Sequence, residues 1–191
     1  MSDNKITIKN VRLSYANVWE PKANLQGDLK YSTSLIIPKN SPEVTEIKRA
    51  INKAAKDNKA KFVDKKGRDI PKEKIRLPLR DGDIDRADEP AYEGCYFINV
   101  SSNNAPKIVN RRLKPIVDRS EVYSGCYANV SVNFFGYNTN GNAGIGAGLG
   151  NIQKIKDGEP LGGFSNPEDD FEVLDDDEFE DEFADDDDLF S

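Results

Sequence analysis

The stretch Cys126–Tyr137, CYANVSVNFFGY, is the first place where residue types and spacing suggest chemistry. Side chains alternate along an extended strand. Cys126, Ala128, Val130, Val132 and Phe134 therefore share one face, a plain core face. Tyr127, Asn129, Ser131, Asn133, Phe135 and Tyr137 share the other, where three rings are separated by small polar groups. That second face is poor core and a good platform for unpaired bases, which stack on aromatic rings with about 1–3 kcal/mol per base and little sequence preference. The competing reading is that a helix or a second copy of the chain, in a homodimer, covers the face. Stacking is expected more of Phe135 and Tyr137 than of Tyr127.

Other residues extend this pattern. PKIVNRRLKP brings Lys107, Arg111, Arg112 and Lys114 close together with only neutral residues between them. Such a patch contacts phosphates without reading sequence; taken alone it is also an ordinary solvated face. Around the loop in SYANVWEPKANLQGDLKYS lie Tyr15, Trp19, Lys22, Lys30 and Tyr31. The lysines suit a groove entrance. Trp19 leaves two readings open, a groove wall or a plug at one end of a barrel. Phe97, in the strand CYFINV, completes the candidate contacts.

Several other chemistries are excluded. The chain has no histidine, which removes the commonest general base and any Ser-His-Asp arrangement. Asp81, Asp83, Asp85, Asp88 and Glu89 cluster, but the glycine is misplaced for a calcium loop and Tyr92 stands where the closing Glu would be. A nuclease site would draw carboxylates from separate strands; these are consecutive and read as a solvated turn. GNAGIGAGLG alternates glycines without the dinucleotide-binding spacing, and reads as a strand passing close to neighbouring backbone. Cys95 and Cys126 lack zinc-like spacing and read as buried free thiols. No catalytic residue, metal or cofactor is expected.

Charge divides the 191-residue chain in two. Residues 1–165 carry 27 basic and 19 acidic side chains, a balance of +8, whereas residues 166–191 carry 15 acidic and no basic ones. A basic body with an acidic tail points to a nucleic-acid partner. The tail cannot bury enough apolar surface to order itself, so residues 166–191 are expected to be a disordered segment. A tail that only conferred solubility would not need Phe171, Phe179, Phe183 and Phe190 at intervals. Phe179, Phe183, Asp185, Asp186, Asp187, Asp188, Leu189 and Phe190 suit a basic-rimmed apolar pocket on a partner protein. The same carboxylates are expected to compete for the cationic groove. No stretch spans a bilayer, and a soluble protein of a reducing cytosol is expected.

The elements that would position these residues are mostly strands. KITIKNVRLSY alternates, with a phase slip near Asn10 as a bulge would produce; Ile6 and Ile8, then Val11, Leu13 and Tyr15, form its apolar series. KYSTSLIIPKN is a second strand. Ser41, Pro42 and Glu43 start a helix whose apolar face is Val44, Ile47, Ala50, Ile51, Ala54 and Ala55. CYFINV, CYANVSVNFFGYN and IGAGLGNIQKI are later strands, PKIVNRRLKPIVD is broken by Pro115, and Asn140-Gly141 signals a hairpin. Tyr92–Tyr96 echoes Tyr123–Tyr127, as if two strands entered one sheet alike. The sum is a mainly β OB-fold over residues 1–165, a five-stranded Greek-key barrel with an extra hairpin and one main α-helix.

The ordered set VRLSYANVWEPK, LIIPK, LPLRDGD, YFIN, VYSGCYANVSVNFFGY and GLGNIQKIKDGEPLGG resembles a phage-encoded single-stranded DNA-binding protein family. The resemblance implies an OB-fold, single-strand binding with little sequence preference, and a role in phage replication, recombination or repair. The tail departs from the commonest terminus of acidic-tailed single-strand binders, because Ser191 follows Phe190. A DNA mimic acting on the replication machinery is the rival reading, and the +8 body opposes it.

Overall fold

The computed structural model describes residues 4–161. In chain order they form β1 (Lys5–Ala23), β2 (Leu29–Pro38), α1 (Glu43–Asp57), β3 (Leu79–Asp81), α2 (Gly82–Asp85), β4 (Cys95–Ser102), β5 (Ile108–Val109), β6 (Tyr127–Thr139) and β7 (Asn142–Lys156). The expected tail, residues 166–191, lies outside the described residues.

Five of these strands close a barrel. β1 pairs with β2, β2 with β4, and β6 with both β1 and β7, all antiparallel. β4 and β7 complete the ring in parallel through Ser101↔Gly148. Elsewhere between these two strands the chain inserts a strap. Arg76 donates to and accepts from the backbone beside Gly144, and β3 then pairs with Tyr96–Ile98 of β4. The barrel interior is apolar, with Ile8, Leu13, Leu35, Ile98, Val130 and Ile152 fully buried, as strand alternation requires. α1 packs against β6, β1 and β7 and buries the expected residues Val44, Ile47, Ala50, Ile51 and Ala54; Ala55 is half-buried. Ser41 accepts from Glu43 N at the helix start. The helix follows the second barrel strand rather than the third.

Several expected local features are present. The β1–β6 register slips between Ile8 and Val11, and Asn10 takes φ 54°. Asn tolerates that left-handed conformation, and its N–H donates to the Asn129 side chain. Asn140 and Gly141 both have positive φ and turn β6 into β7. The echoed segments do enter β4 and β6 alike, through left-handed Gly94 and Gly125. The PKIVNRRLKPIVD segment forms only the two-residue β5, beside β7.

Of the two placements that the sequence gives Tyr15, the structure takes the one outside the core. Tyr15 does not continue the inward series of Val11 and Leu13. A second register shift falls between Ser14 and Asn17, Tyr15 adopts φ 48°, and the residue is 52% exposed. The added residue reverses which face receives each side chain. Among the described residues, no helix is long and apolar enough to cross a membrane.

Candidate nucleic-acid interface

On β2 and β4 the odd and even residues have opposite fates. Leu35, Ile37, Ile98 and Val100 enter the core, so Ser32, Ser34, Ile36, Phe97, Asn99 and Ser101 face outward. Small polar groups occupy one half of this wall, and Ser34 donates to Asn99. They floor a groove of about 350 Å³ lined also by Tyr15 and Arg86. In the other half Ile36 and Phe97 are roofed by Tyr92, whose ring meets Phe97 edge-on with centroids 5.2 Å apart.

Arg86 joins the two halves. Its guanidinium lies 5.4 Å from the centroids of Tyr15 and Phe97 and 5.8 Å from that of Tyr92, the geometry of cation–π contact. Glu89 holds the pair in place, accepting from the Tyr15 hydroxyl and lying 3.7 Å from the Arg86 guanidinium. The hydrogen bond to Glu89 is the main reason the Tyr15 phenol is held above its ordinary pKa, with burial adding to it. The groove thus presents an exposed ring, a planar cation and a polar floor. These are surfaces on which an unpaired base stacks and to which a phosphate binds.

The expected contact residues are distributed over several faces. Phe97 is 2% exposed beneath Tyr92 and Arg86; it supports the groove from below and is no stacking surface, which corrects the sequence reading. Trp19 is half-buried, packs against the core and donates from Nε1 to Val122 O at 3.0 Å. Lys22 and Lys30 face each other across the β1–β2 hairpin, Lys30 on the strand that continues into Ser32. Lys107, Arg111, Arg112 and Lys114 are exposed. A tight turn presents the last three, because Asn110 Oδ1 accepts from Arg112 N and Lys114 N.

The β6 face is different in kind. Tyr127 is half-buried, with the Arg12 guanidinium 5.7 Å and the Lys156 ammonium 4.7 Å from its ring centroid. Phe135 is 43% exposed and opposes Gly146. A Cβ added to Gly146 would come within 2.5 Å of the Phe135 ring, and one added to Gly144 within 2.7 Å of the Tyr137 hydroxyl. The alternating glycines therefore leave room on β7 for the Phe135 ring and the Tyr137 hydroxyl. The expected close approach of backbone also occurs, at Arg76 O beside Gly144.

The acidic turn is structural. Asp81 accepts from Asp83 N at the start of α2. Lys39 bridges Asp81 and Asp83 at 2.8 Å each, which raises its own pKa and, with the Gly94 N–H, lowers that of Asp83. Among the described residues no group of three or more His, Cys, Asp or Glu could hold a metal. Cys126 is buried, Cys95 half-buried, and desolvation pushes both thiols up.

Sequence reasoning set Tyr15 both in the apolar series of β1 and beside the groove loop, and it missed Arg86 altogether. Arg86 sits inside RDGDIDRADE, where its neighbours' charges masked it.

A closed five-stranded barrel whose second and third strands carry an open polar wall with ring and cation is an OB-fold binding protein. Comparison with known proteins places it more narrowly. Residues 4–184 match the family described as Enterobacter phage Enc34, ssDNA-binding protein. Protein p50 of Acyrthosiphon pisum secondary endosymbiont phage 1 is 33% identical over 163 residues, 83% of this chain and 87% of that protein. The single-stranded DNA-binding protein of bacteriophage Enc34, solved in complex with ssDNA, superposes with a TM-score of 0.69 at 27% identity, covering 83% of this chain and 90% of that one. Gp2.5 of bacteriophage T7 shares the fold, with a TM-score of 0.60 at 16% identity over 88% and 94% of the two chains. The chain belongs to the Enc34 phage ssDNA-binding protein family, a family of binders rather than enzymes.

Proposed function

We propose that this chain binds single-stranded DNA with little sequence preference, and that the strand lies in the β2–β4 groove. The observation that carries this reading is the pairing of exposed Tyr15 with Arg86 over a floor of Ser32, Ser34, Asn99 and Ser101. Bases stack on the Tyr15 ring and the Arg86 guanidinium, and the floor hydroxyls and amide meet whichever edges are offered. Lys22, Lys30, Lys107, Arg111, Arg112 and Lys114 contact phosphates as the strand leaves the groove. Phe135 and Tyr137 add a second, weaker stacking surface. A family relative solved in complex with ssDNA supports the choice of ligand.

The protein acts in the host cytoplasm during phage DNA replication, recombination or repair. Its acidic residues 166–191 weaken DNA binding at low salt by competing for the cations. Phe179, Phe183, Asp185, Asp186, Asp187, Asp188, Leu189 and Phe190 recruit replication and recombination proteins.

Titration of labelled oligonucleotides at several salt concentrations tests the reading. Single strands should bind more tightly than duplex of the same length, with affinity falling by a log–log slope of about −0.7 per neutralised phosphate. Equal affinity for duplex, or a slope near zero, rejects it.

A further inference from the structure

A second concave site, with no lining residue in common with the groove, lies between the end of α1 and the segment leading to the strap. It encloses about 700 Å³, within the range of roughly 300–1,000 Å³ usual for binding clefts. Its floor is Ala55, Phe62, Ile70 and Ile75, and the exposed Leu77 stands at its edge. Lys56, Lys59 and Lys72 rim it, all exposed and without an ion-pair partner among the described residues. Asp69 is the one carboxylate in the lining. The surrounding stretch is basic as a whole: residues 56–76 carry nine basic and four acidic side chains.

An apolar hollow ringed by cations selects its occupant by two properties together, an apolar anchor and negative charge close behind it. A nucleic-acid strand has the charge, but the hollow offers its bases no open ring face, because Phe62 is only 5% exposed. A phenyl or leucyl side chain needs no such face. The sequence itself holds a segment with both properties: four consecutive carboxylates, Asp185 to Asp188, followed at once by Leu189 and Phe190. Every copy of the chain brings one hollow and one such segment, a one-for-one match.

We propose that this hollow is a docking site for an acidic peptide with an aromatic anchor, and that the peptide is Asp185–Phe190 of a neighbouring copy of this chain. Leu189 and Phe190 enter the apolar floor while the aspartates meet Lys56, Lys59 and Lys72. Charge-only contacts of the same segment with the DNA groove are screened as salt rises, whereas the anchored contact is less so.

The test uses the full-length chain carrying L189A and F190A, titrated at about 0.15 M salt with a fluorescent peptide of residues 178–191. The peptide should bind, and K56E/K59E/K72E, a change confined to exposed side chains, should weaken it by about tenfold or more. A peptide with Phe190→Ala should lose affinity by a similar factor. Saturating oligonucleotide should leave peptide binding within about threefold. The wild-type chain at high concentration should sediment as a larger species than the charge-reversed triple variant. Displacement of the peptide by oligonucleotide would place the segment in the DNA groove and overturn the proposal. So would equal binding of the Phe190→Ala peptide, an unaffected triple variant, or sedimentation as a monomer at every concentration. A triple variant that loses oligonucleotide binding but keeps the peptide would make this lobe a DNA path instead.

Discussion

The two outward walls of this barrel are built by one rule and finished differently. On β2–β4 the outward residues are mostly small and polar, and the ring and cation that complete the groove arrive from a bulge in β1 and from the segment after α2. On β6–β7 the rings belong to the strand itself, and glycines in the neighbouring strand make room for Phe135 and Tyr137. The first wall keeps one half of its floor as a groove and roofs the other half with Tyr92. The second covers its floor with its own aromatic side chains. An aromatic-rich strand can thus rest its rings on its own sheet, whereas a polar strand wall leaves room for a ring and a cation supplied by other segments.

The sharpest way to break this comparison is to remove the key groups from each wall in turn. Tyr15→Ala with Arg86→Ala should lower single-strand affinity by roughly 100-fold, from one lost stacking ring and one lost stacked cation. Phe135→Ala should lower it by no more than about tenfold. Fluorescence titration with a homopolymer compares the two, and an equal or larger loss at Phe135 would move the principal platform to β6–β7.

A second substitution tests what the β7 glycines are for. Gly146→Val places side-chain atoms where the Phe135 ring now rests and should destabilise the fold by about 1–3 kcal/mol in chemical denaturation. Adding Phe135→Ala should recover part of that loss, because neighbouring effects are not additive. Full additivity would mean the ring does not lie on Gly146.

Much of the scaffold was legible and the groove was not, for reasons that specific residues make plain. Period-two alternation located β1, β2, β4, β6 and β7, and the 3.6-residue period with its Ser41–Glu43 start located α1. The bulge at Asn10 showed because it shifted an apolar series by one. The bulge at Tyr15 did not show, because a tyrosine reads as plausibly inside as outside. Phe97 alternates correctly onto the outer face; only the three-dimensional return of Tyr92 buries it. Arg86 gave no local signal, since its role depends on rings brought together from three separate segments.

Smaller effects refine the picture. Arg111→Ala and Arg112→Ala, on the presented turn, should each make the salt dependence shallower by about 0.7 without altering base preference. A slope unchanged in both variants would remove that turn from the phosphate path. The smallest effect concerns the Tyr15 phenol, whose pKa in the fold is raised above 10.0, chiefly by its hydrogen bond to Glu89. The folded-state value exceeds the unfolded one, so the contribution of this contact is complete below pH 10.0 and is lost as pH climbs through the higher folded value. An alkaline absorbance titration should show a late phenol step that Tyr15→Phe removes; an unchanged curve would deny the contact.

The strap from Arg76 to Asp81 fills the seam where β4 and β7 meet directly at one pair, Ser101↔Gly148. The barrel's girth is thus adjustable by a spacer rather than fixed by strand count. Lengthening or trimming the stretch that feeds this spacer would widen or tighten the β2–β4 wall while leaving every side chain of the groove as it is.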